Sequence, residues 1–350
     1  MDNWNNYLAS QGARHSPDDT SSPADFGRAL NVADLAGGFV AVVGDLGLIS
    51  VTGDDAASFL HSQLTNDVGH LGGHDARLAG YCSPKGRLLA TFLMWRNAES
   101  VFLQLPRELQ PALQKRLSMF VLRAKARLAD AGAGMVVLGI GGAAGEAVLR
   151  AHVEALPGGP YGKEDAALGT VIRVADAFGA PRFQLIMTAA NAAALLPSLR
   201  EKLALGGNQA WQLASIHAGV PQITAKTQER FVPQMVNFEL LGGVNFKKGC
   251  YPGQEIVARS QYLGKLKRRA ALATIADGDA HAGDEVFAES DPGQPSGMIV
   301  NAAPNGAGGS DALVEMKLSA LEEGKVHLGA ADGAPLVFRT MPYPLDALEL

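Results

Sequence analysis

Apolar positions along the chain follow two alternating rhythms. FVAVV (39–43) and LGLISV (46–51) are short, β-branched runs on either side of Gly44-Asp45. Two such runs around a pair of turn formers predict a hairpin. Thr52-Gly53-Asp54-Asp55 then caps a helix whose apolar face is Ala56, Phe59, Leu60 and Leu64. LLATFLMW and SVFLQL flank Arg96-Asn97-Ala98-Glu99, a second hairpin signal, and Pro106 opens a helix to about residue 120. In 122–128, small apolar residues alternate with Arg123, Lys125 and Arg127, the period of a strand with one wet face.

From Met135 the same order returns. MVVLGI precedes a helix over 143–155, VIRVA and RFQLIM flank a turn-rich stretch, and a helix follows over 190–203. After Arg269, short strand candidates (ALATIA, EVFA, GMIVNA, ALVEMKL, PLVFRT) alternate with Gly, Asp and Asn. That spacing predicts a small antiparallel barrel of about 80 residues. The fold class expected is α+β, with two related strand–helix units and a C-terminal antiparallel β-barrel. The divisions expected are a mobile N-terminal segment (1–37), a first unit (38–132), a second unit (133–264) and the barrel (265–350). Within the first segment, Trp4, Tyr7 and Leu8 suggest a docked helical turn before a Ser/Asp/Pro linker.

At 350 residues the chain exceeds what a single core usually supports, in line with that division. A net charge of −5 argues against a dedicated nucleic-acid binder, which needs a basic surface. Arg123, Lys125 and Arg127, or Lys265, Lys267, Arg268 and Arg269, could form a basic patch, but solvated strand faces explain them as well. No apolar run approaches the roughly 18–20 residues that span a bilayer, and the first 30 residues lack an apolar signal region. The compartment expected is the cytoplasm, with no membrane partner. Gly139-Ile140-Gly141-Gly142-Ala143-Ala144-Gly145 superficially matches a dinucleotide-binding loop, yet no acidic residue follows at the required place.

The chemistry concentrates in NFKKGCYPGQEIVARSQYLGKLKRR, from Asn245. Cys250 sits among Gly249, Tyr251, Pro252 and Gly253, residues that impose a turn. Lys247 and Lys248 precede it, and cations beside a thiol favour the nucleophilic thiolate. Gln254 and Glu255 follow. A free Cys is often simply buried, but these polar neighbours favour a working thiol. Cys82, in Tyr81-Cys82-Ser83-Pro84-Lys85-Gly86, reads as structural. His61, His217 and His281 show no diagnostic spacing, no zinc pattern occurs, and no permanently bound metal is expected. Trp211 opens an amphipathic helix stopped by Gly219-Val220-Pro221, where an indole either stacks on a flat heterocycle or fills core.

Lys248-Gly249-Cys250-Tyr251-x-Gly253-Gln254-Glu255 resembles the K-G-C-[FY]-x-G-Q-E signature of the folate-binding YgfZ family, relatives of the glycine cleavage system aminomethyltransferase. Further blocks extend the resemblance over about 38–345. They are Thr52-Gly53-Asp54-Asp55 to Phe59-Leu60 with Thr65-Asn66-Asp67-Val68, Lys85-Gly86-Arg87, Trp211 to Pro221, Phe231 to Asn237, Leu241 to Phe246, and Met341-Pro342-Tyr343. The resemblance implies an aminomethyltransferase-like body with tetrahydrofolate, or a derivative, in a central channel. It places folate contacts at Trp211 and at Leu46, where some relatives carry Trp. It implies an accessory role in assembly or repair of iron–sulfur clusters in client enzymes, including radical enzymes that modify tRNA, with Cys250 as the working residue facing the channel. Folate and iron–sulfur clients are the partners expected; direct nucleic-acid binding is not. The alternative is a folate-dependent one-carbon transferase, either aminomethyl or methyl. That chemistry needs a carboxylate near the folate, and Ala90 and Thr91 supply none. Whether the chain is an enzyme stays open at this stage.

Overall fold

The structure, a computed structural model, describes residues 2–16, 19–262, 266–276 and 278–345. Lys265, placed above in a possible basic patch, lies outside them. The chain opens with α1 (Asp2–Ser10), β1 (Arg14–Ser16), β2 (Asp19–Asp25), α2 (Val32–Gly37) and β3 (Phe39–Val43). A seven-element unit follows: β4 (Leu46–Thr52), α3 (Ala56–Gln63), β5 (Ala76–Cys82), β6 (Leu88–Arg96), β7 (Ser100–Pro106), α4 (Gln110–Met119) and β8 (Arg127–Asp130). The same order recurs in β9 (Met135–Gly141), α5 (Gly145–Arg150), β10 (Lys163–Ala166), β11 (Gly169–Ala177), β12 (Ala180–Thr188), α6 (Ala189–Arg200) and β13 (Ala204–Gly206). Then come α7 (Asn208–His217), α8 (Gln254–Tyr262), β14 (Arg268–Ile275), β15 (Glu285–Ala288), β16 (Gly297–Pro304), β17 (Ser310–Lys317), α9 (Leu318–Glu323), β18 (Val326–Leu328) and β19 (Leu336–Arg339).

The repeated rhythm seen in the sequence becomes two sheets of matching order. One runs β5-β6-β7-β4-β8 and the other β10-β11-β12-β9-β3-β13. They differ by β3, inserted between β9 and β13. This corrects the hairpin expected at Gly44-Asp45. β3 pairs antiparallel with β9 and parallel with β13, whereas β4 pairs with β7 and β8. Every residue of β3 is buried, so the strand is covered on both edges and both faces. The two-residue connection therefore crosses from one sheet to the other. It carries Asp45 and Leu46 into the space between them.

Other expectations meet local corrections. The strand predicted over 122–128 shrinks to β8, because Leu122 adopts a left-handed φ of 48° and ends the alternation. Lys125 instead pairs with Asp54 and donates its amide to Asp55. Helix α5 stops at Arg150. The docked turn expected at Trp4, Tyr7 and Leu8 is α1, with Trp4 and Leu8 buried in the core, and the stretch after it, expected as a linker, includes β2, which packs on α7. The C-terminal strands form a six-stranded antiparallel sheet, curled as a half-barrel, ordered β18-β15-β16-β17-β14-β19.

Candidate functional site

Helix α7 organises the centre of the molecule. At its start, the Asn208 carbonyl accepts from the Gly44 amide, and the Asn208 amide group donates to Ser22. One turn later, Gln212 donates to Asp45 Oδ2 at 2.6 Å. The helix is thereby tied to the sheet-crossing turn. At its other end, His217 Nε2 lies 2.6 Å from Asp311 of β17, which joins α7 to the C-terminal sheet. Tyr343 packs its ring on Gly219 and donates to the Gly219 carbonyl at 2.7 Å. Gly219 has a φ of +68°, and a Cβ there would sit 2.5 Å from that ring, so glycine is required.

These ties frame a partly open cavity of about 280 Å³ between the three large sheets and α7. Trp211, Gln212, Ser215 and Ile216 come from α7; Arg182 and Gln184 from β12; Thr91 to Leu93 from β6; Asn301 and Ala302 from β16. Asp45 and Leu46 line it too, as do Gln104 and Tyr161. On the far side of Leu46 and Gln104 lies a second hollow, of about 310 Å³, bounded by Trp4 and Leu8 of α1. Both folate contacts implied by the resemblance, Trp211 and Leu46, are thus on the cavity wall.

Trp211 is 6 % exposed and rests on β9. A Cβ on Gly139 would come within 2.2 Å of its ring. This accounts for the first glycine of the loop-like run, which serves packing. Gly142, with a φ of +79°, sits against the Leu35 carbonyl in the same way. The Arg182 guanidinium lies over the indole, 4.8 Å from the ring centroid.

The cavity's polar groups are incompletely paired. Tyr161 Oη and Gln184 Oε1 are buried without a hydrogen-bond partner. Burial pulls the Arg182 guanidinium down to about 10, the neighbouring Tyr161 and Asp176 opposing that. Sequence reasoning missed Arg182, Gln184, Tyr161 and Asp45. A signal existed for two of them: Arg182 and Gln184 share a face of an otherwise apolar strand.

Cys250 lies elsewhere. It is exposed, and among the described residues it does not line the cavity. The expectation that its sulfur faces the channel is therefore corrected. The loop's geometry explains this placement. Gly253 has a φ of +80°, and a Cβ there would lie 2.4 Å from the Ser83 carbonyl and 2.7 Å from Gly86. The Lys85-Gly86-Arg87 turn and the thiol loop thus interlock glycine against glycine, which directs Cys250 outward before α8 begins at Gln254. Gly249 meets no such restriction; its nearest neighbour is His61 Nε2. Tyr251 is buried, and Glu255 is exposed in the first turn of α8.

The approach to the loop is held from the first unit. Thr65 Oγ1 donates to the Gly243 carbonyl at 2.6 Å, and Asn66 donates to the Gly242 carbonyl at 2.7 Å. Lys248 Nζ donates to the carbonyls of His61 and Leu64 and lies over the Tyr251 ring. Burial pulls this amine down to about 8, against the opposing pull of Asp67 and Cys250. Asp67 in turn contacts His61 and His70. Burial alone would raise its carboxyl, but the bonds from His70 and the two histidine charges hold it below its usual value. Lys247 is exposed, with its amide bound to Asn245. Cys82 is buried and apolar surroundings push its thiol up to about 12, as suits a structural residue. Among the described residues, no cluster of three or more His, Cys, Asp or Glu could hold a metal ion, and no helix is long and apolar enough to cross a membrane.

No family model matches the chain. Curated relatives do. It is 33% identical over 229 residues to the tRNA-modifying protein YgfZ of Cronobacter sakazakii, covering 64% of this chain and 67% of that one. It is 31% identical over 244 residues to the protein of the same name from Pectobacterium carotovorum, covering 69% and 72%. Among solved structures, the glycine cleavage system aminomethyltransferase T of Bartonella henselae superposes with a TM-score of 0.74 over 98% of this chain and 97% of its own, at 16% identity. That likeness shows the fold: an aminomethyltransferase T body with an antiparallel C-terminal sheet. With identity at this level over two thirds of its relatives' length, and with the thiol octapeptide in place, the chain belongs to the YgfZ family.

Proposed function

We propose that the chain is a tetrahydrofolate-binding accessory protein for assembly or repair of iron–sulfur clusters in client enzymes, including radical enzymes that modify tRNA. It acts in the cytoplasm, where its two free thiols stay reduced. Family membership supports this reading, and the cavity carries it. A space of about 280 Å³ is walled by an indole and aliphatic side chains, with buried donors and acceptors left unpaired. A flat heterocycle with polar edges fits that chemistry. Trp211, Leu46 and the polar groups of β12 would hold the ligand.

Cys250 is the working thiol on the outer face, where a client protein can reach it. One thiol cannot complete a cluster site, so any iron or sulfur it carries is shared with the client or with a small thiol. Lys248, Gly249, Tyr251, Gly253, Gln254 and Glu255 build its loop.

The test has two arms. Anaerobic titration of tetrahydrofolate, followed by tryptophan fluorescence, should saturate; absence of saturable binding rejects the folate reading. In cells carrying Cys250→Ala, client enzymes should lose cluster content while the purified variant keeps its folate affinity. Full cluster content in those cells would reject the thiol's role.

One observation favours the alternative, one-carbon transfer. Asp45 supplies a carboxylate to the cavity wall that positions 90 and 91 do not. Turnover of labelled methylene-tetrahydrofolate by the chain alone, lost in Asp45→Asn, would establish it.

A further inference from the structure

Arg182 is the largest fully buried side chain and carries a charge. Its Nε donates to the Ala175 carbonyl at 2.9 Å, and one Nη donates to Ser215 Oγ at 3.1 Å. Among the described residues the other Nη has no hydrogen-bond partner and no carboxylate forms an ion pair with the guanidinium. The nearby acid, Asp176, is held by Arg173 at 3.1 Å. A desolvated cation whose direct hydrogen-bond acceptors are both neutral is costly, and proteins normally pair such a group. Beside it, Tyr161 Oη is buried without a partner. Tyr161 has a φ of 62°, a conformation rare outside glycine. It is pinned there by its amide to the Arg173 carbonyl at 2.6 Å and by the Ala76 amide to its own carbonyl at 2.7 Å. A left-handed residue fixed on both sides, with its hydroxyl unsatisfied in a cavity, is a sign of function.

We infer that Arg182 and Tyr161 form an anion subsite inside the cavity, which takes a carboxylate of the ligand. The guanidinium offers its unpaired N–H groups, the phenol its O–H, and the bound carboxylate supplies the missing counter-charge. Asp45, held by Gln212, leaves the same cavity an acidic pole for donor groups. The ligand class is therefore a ring compound with N–H donors on one part and a carboxylate on another. Identifying it as folate rests on the proposal above; the anion subsite does not.

The experiment is calorimetric titration of the whole protein with p-aminobenzoylglutamate and with its uncharged diamide, beside tetrahydrofolate. The charged fragment should bind at least about tenfold more tightly than the diamide, the scale of a charge-assisted bond in a desolvated site. Arg182→Met should erase that preference, the charged fragment losing at least about tenfold more affinity than the diamide. Should Arg182→Met fail to fold, Tyr161→Phe, which removes only the hydroxyl, should still reduce the preference. Equal binding of both fragments to the unaltered protein overturns the subsite, as does a preference that survives both substitutions. Tetrahydrofolate bound without any preference for the charged fragment leaves the folate reading and removes this one. A preference for the charged fragment without tetrahydrofolate binding does the reverse.

Discussion

The cavity and the thiol loop are built in opposite ways. The cavity draws its wall from β4, β6, β12, α7 and β16, and several of its buried polar atoms have no hydrogen-bond partner among the described residues. The thiol loop is one contiguous stretch at the surface, and its half-buried cation is satisfied by two backbone carbonyls. The first region is assembled by long-range packing, so substitutions there disturb stability and the shape of the cavity together. The second presents one exposed sulfur on a turn held by close glycine contacts, so that atom can be removed with the fold intact. The cavity and the exposed thiol are separate places in this chain.

The sharpest break is expected at Trp211. Its ring is 6 % exposed, backed by Gly139 and covered by Arg182. Trp211→Ala should cost about 3–5 kcal/mol in denaturant unfolding and abolish cavity binding. A smaller cost would mean that the indole is not the keystone of α7. Gly139→Ala attacks the same ring from beneath. Its Cβ would stand 2.2 Å from the indole, so the ring or the strand must shift to take it. Overpacking of this kind costs about 1–3 kcal/mol, with folate affinity falling alongside; an unchanged melting curve would show that α7 can shift.

The His217–Asp311 contact gives a gentler test, through pH. Burial alone would raise the Asp311 carboxyl; hydrogen bonds from His217, Thr274 and Asn305 outweigh it and hold the group below its usual 3.8. The unfolded chain therefore takes up the proton first as pH falls. The stabilisation is fully present above pH 4–5, on the order of the ordinary carboxylate range, and is lost as pH drops through the depressed folded value. Asp311→Asn should flatten that acid limb of the stability profile. A limb unchanged by the substitution would assign the acid sensitivity to other carboxylates.

How much of this was legible in the sequence follows from the same contrast. The thiol loop could be read directly, because its glycines, proline and cations are neighbours in the chain. The repeated unit could be read from strand and helix periodicity. The cavity could be read only in part. Trp211 was visible as an indole on an amphipathic helix, but Gly44-Asp45 carried a hairpin's local chemistry while tertiary pairing sent β3 and β4 to different sheets. Asp45 and Leu46 owe their position to that crossing, which no local pattern encodes. Tyr161 lies in a loop whose left-handed backbone is fixed by residues from elsewhere in the chain. The direction of the Cys250 sulfur depended on the Gly86–Gly253 contact, between residues far apart in sequence.

The smallest effect on the fold is expected at Cys250 itself. Its side chain is exposed, and surface substitutions of this kind change stability by less than about 0.5 kcal/mol. Cys250→Ala should melt with the parent protein and bind cavity ligands equally well. The change should appear instead at Lys248. Burial has already pulled that amine from 10.5 to about 8, and Cys250 is one of the two groups opposing the pull. Removing the sulfur should let Lys248 lose its proton at a lower pH, which proton-coupled NMR of the labelled lysine can follow. The sign matters for stability as well. Below the folded value both states carry the charge, and the native state bears the cost of burying it. As pH rises, the native state sheds its proton first and that cost disappears, so stability climbs until the unfolded lysine also titrates. In Cys250→Ala this climb should begin earlier. A titration identical in both proteins would mean that the sulfur and the amine do not sense each other, and the loop's lysine would then be a structural strut rather than a partner of the thiol.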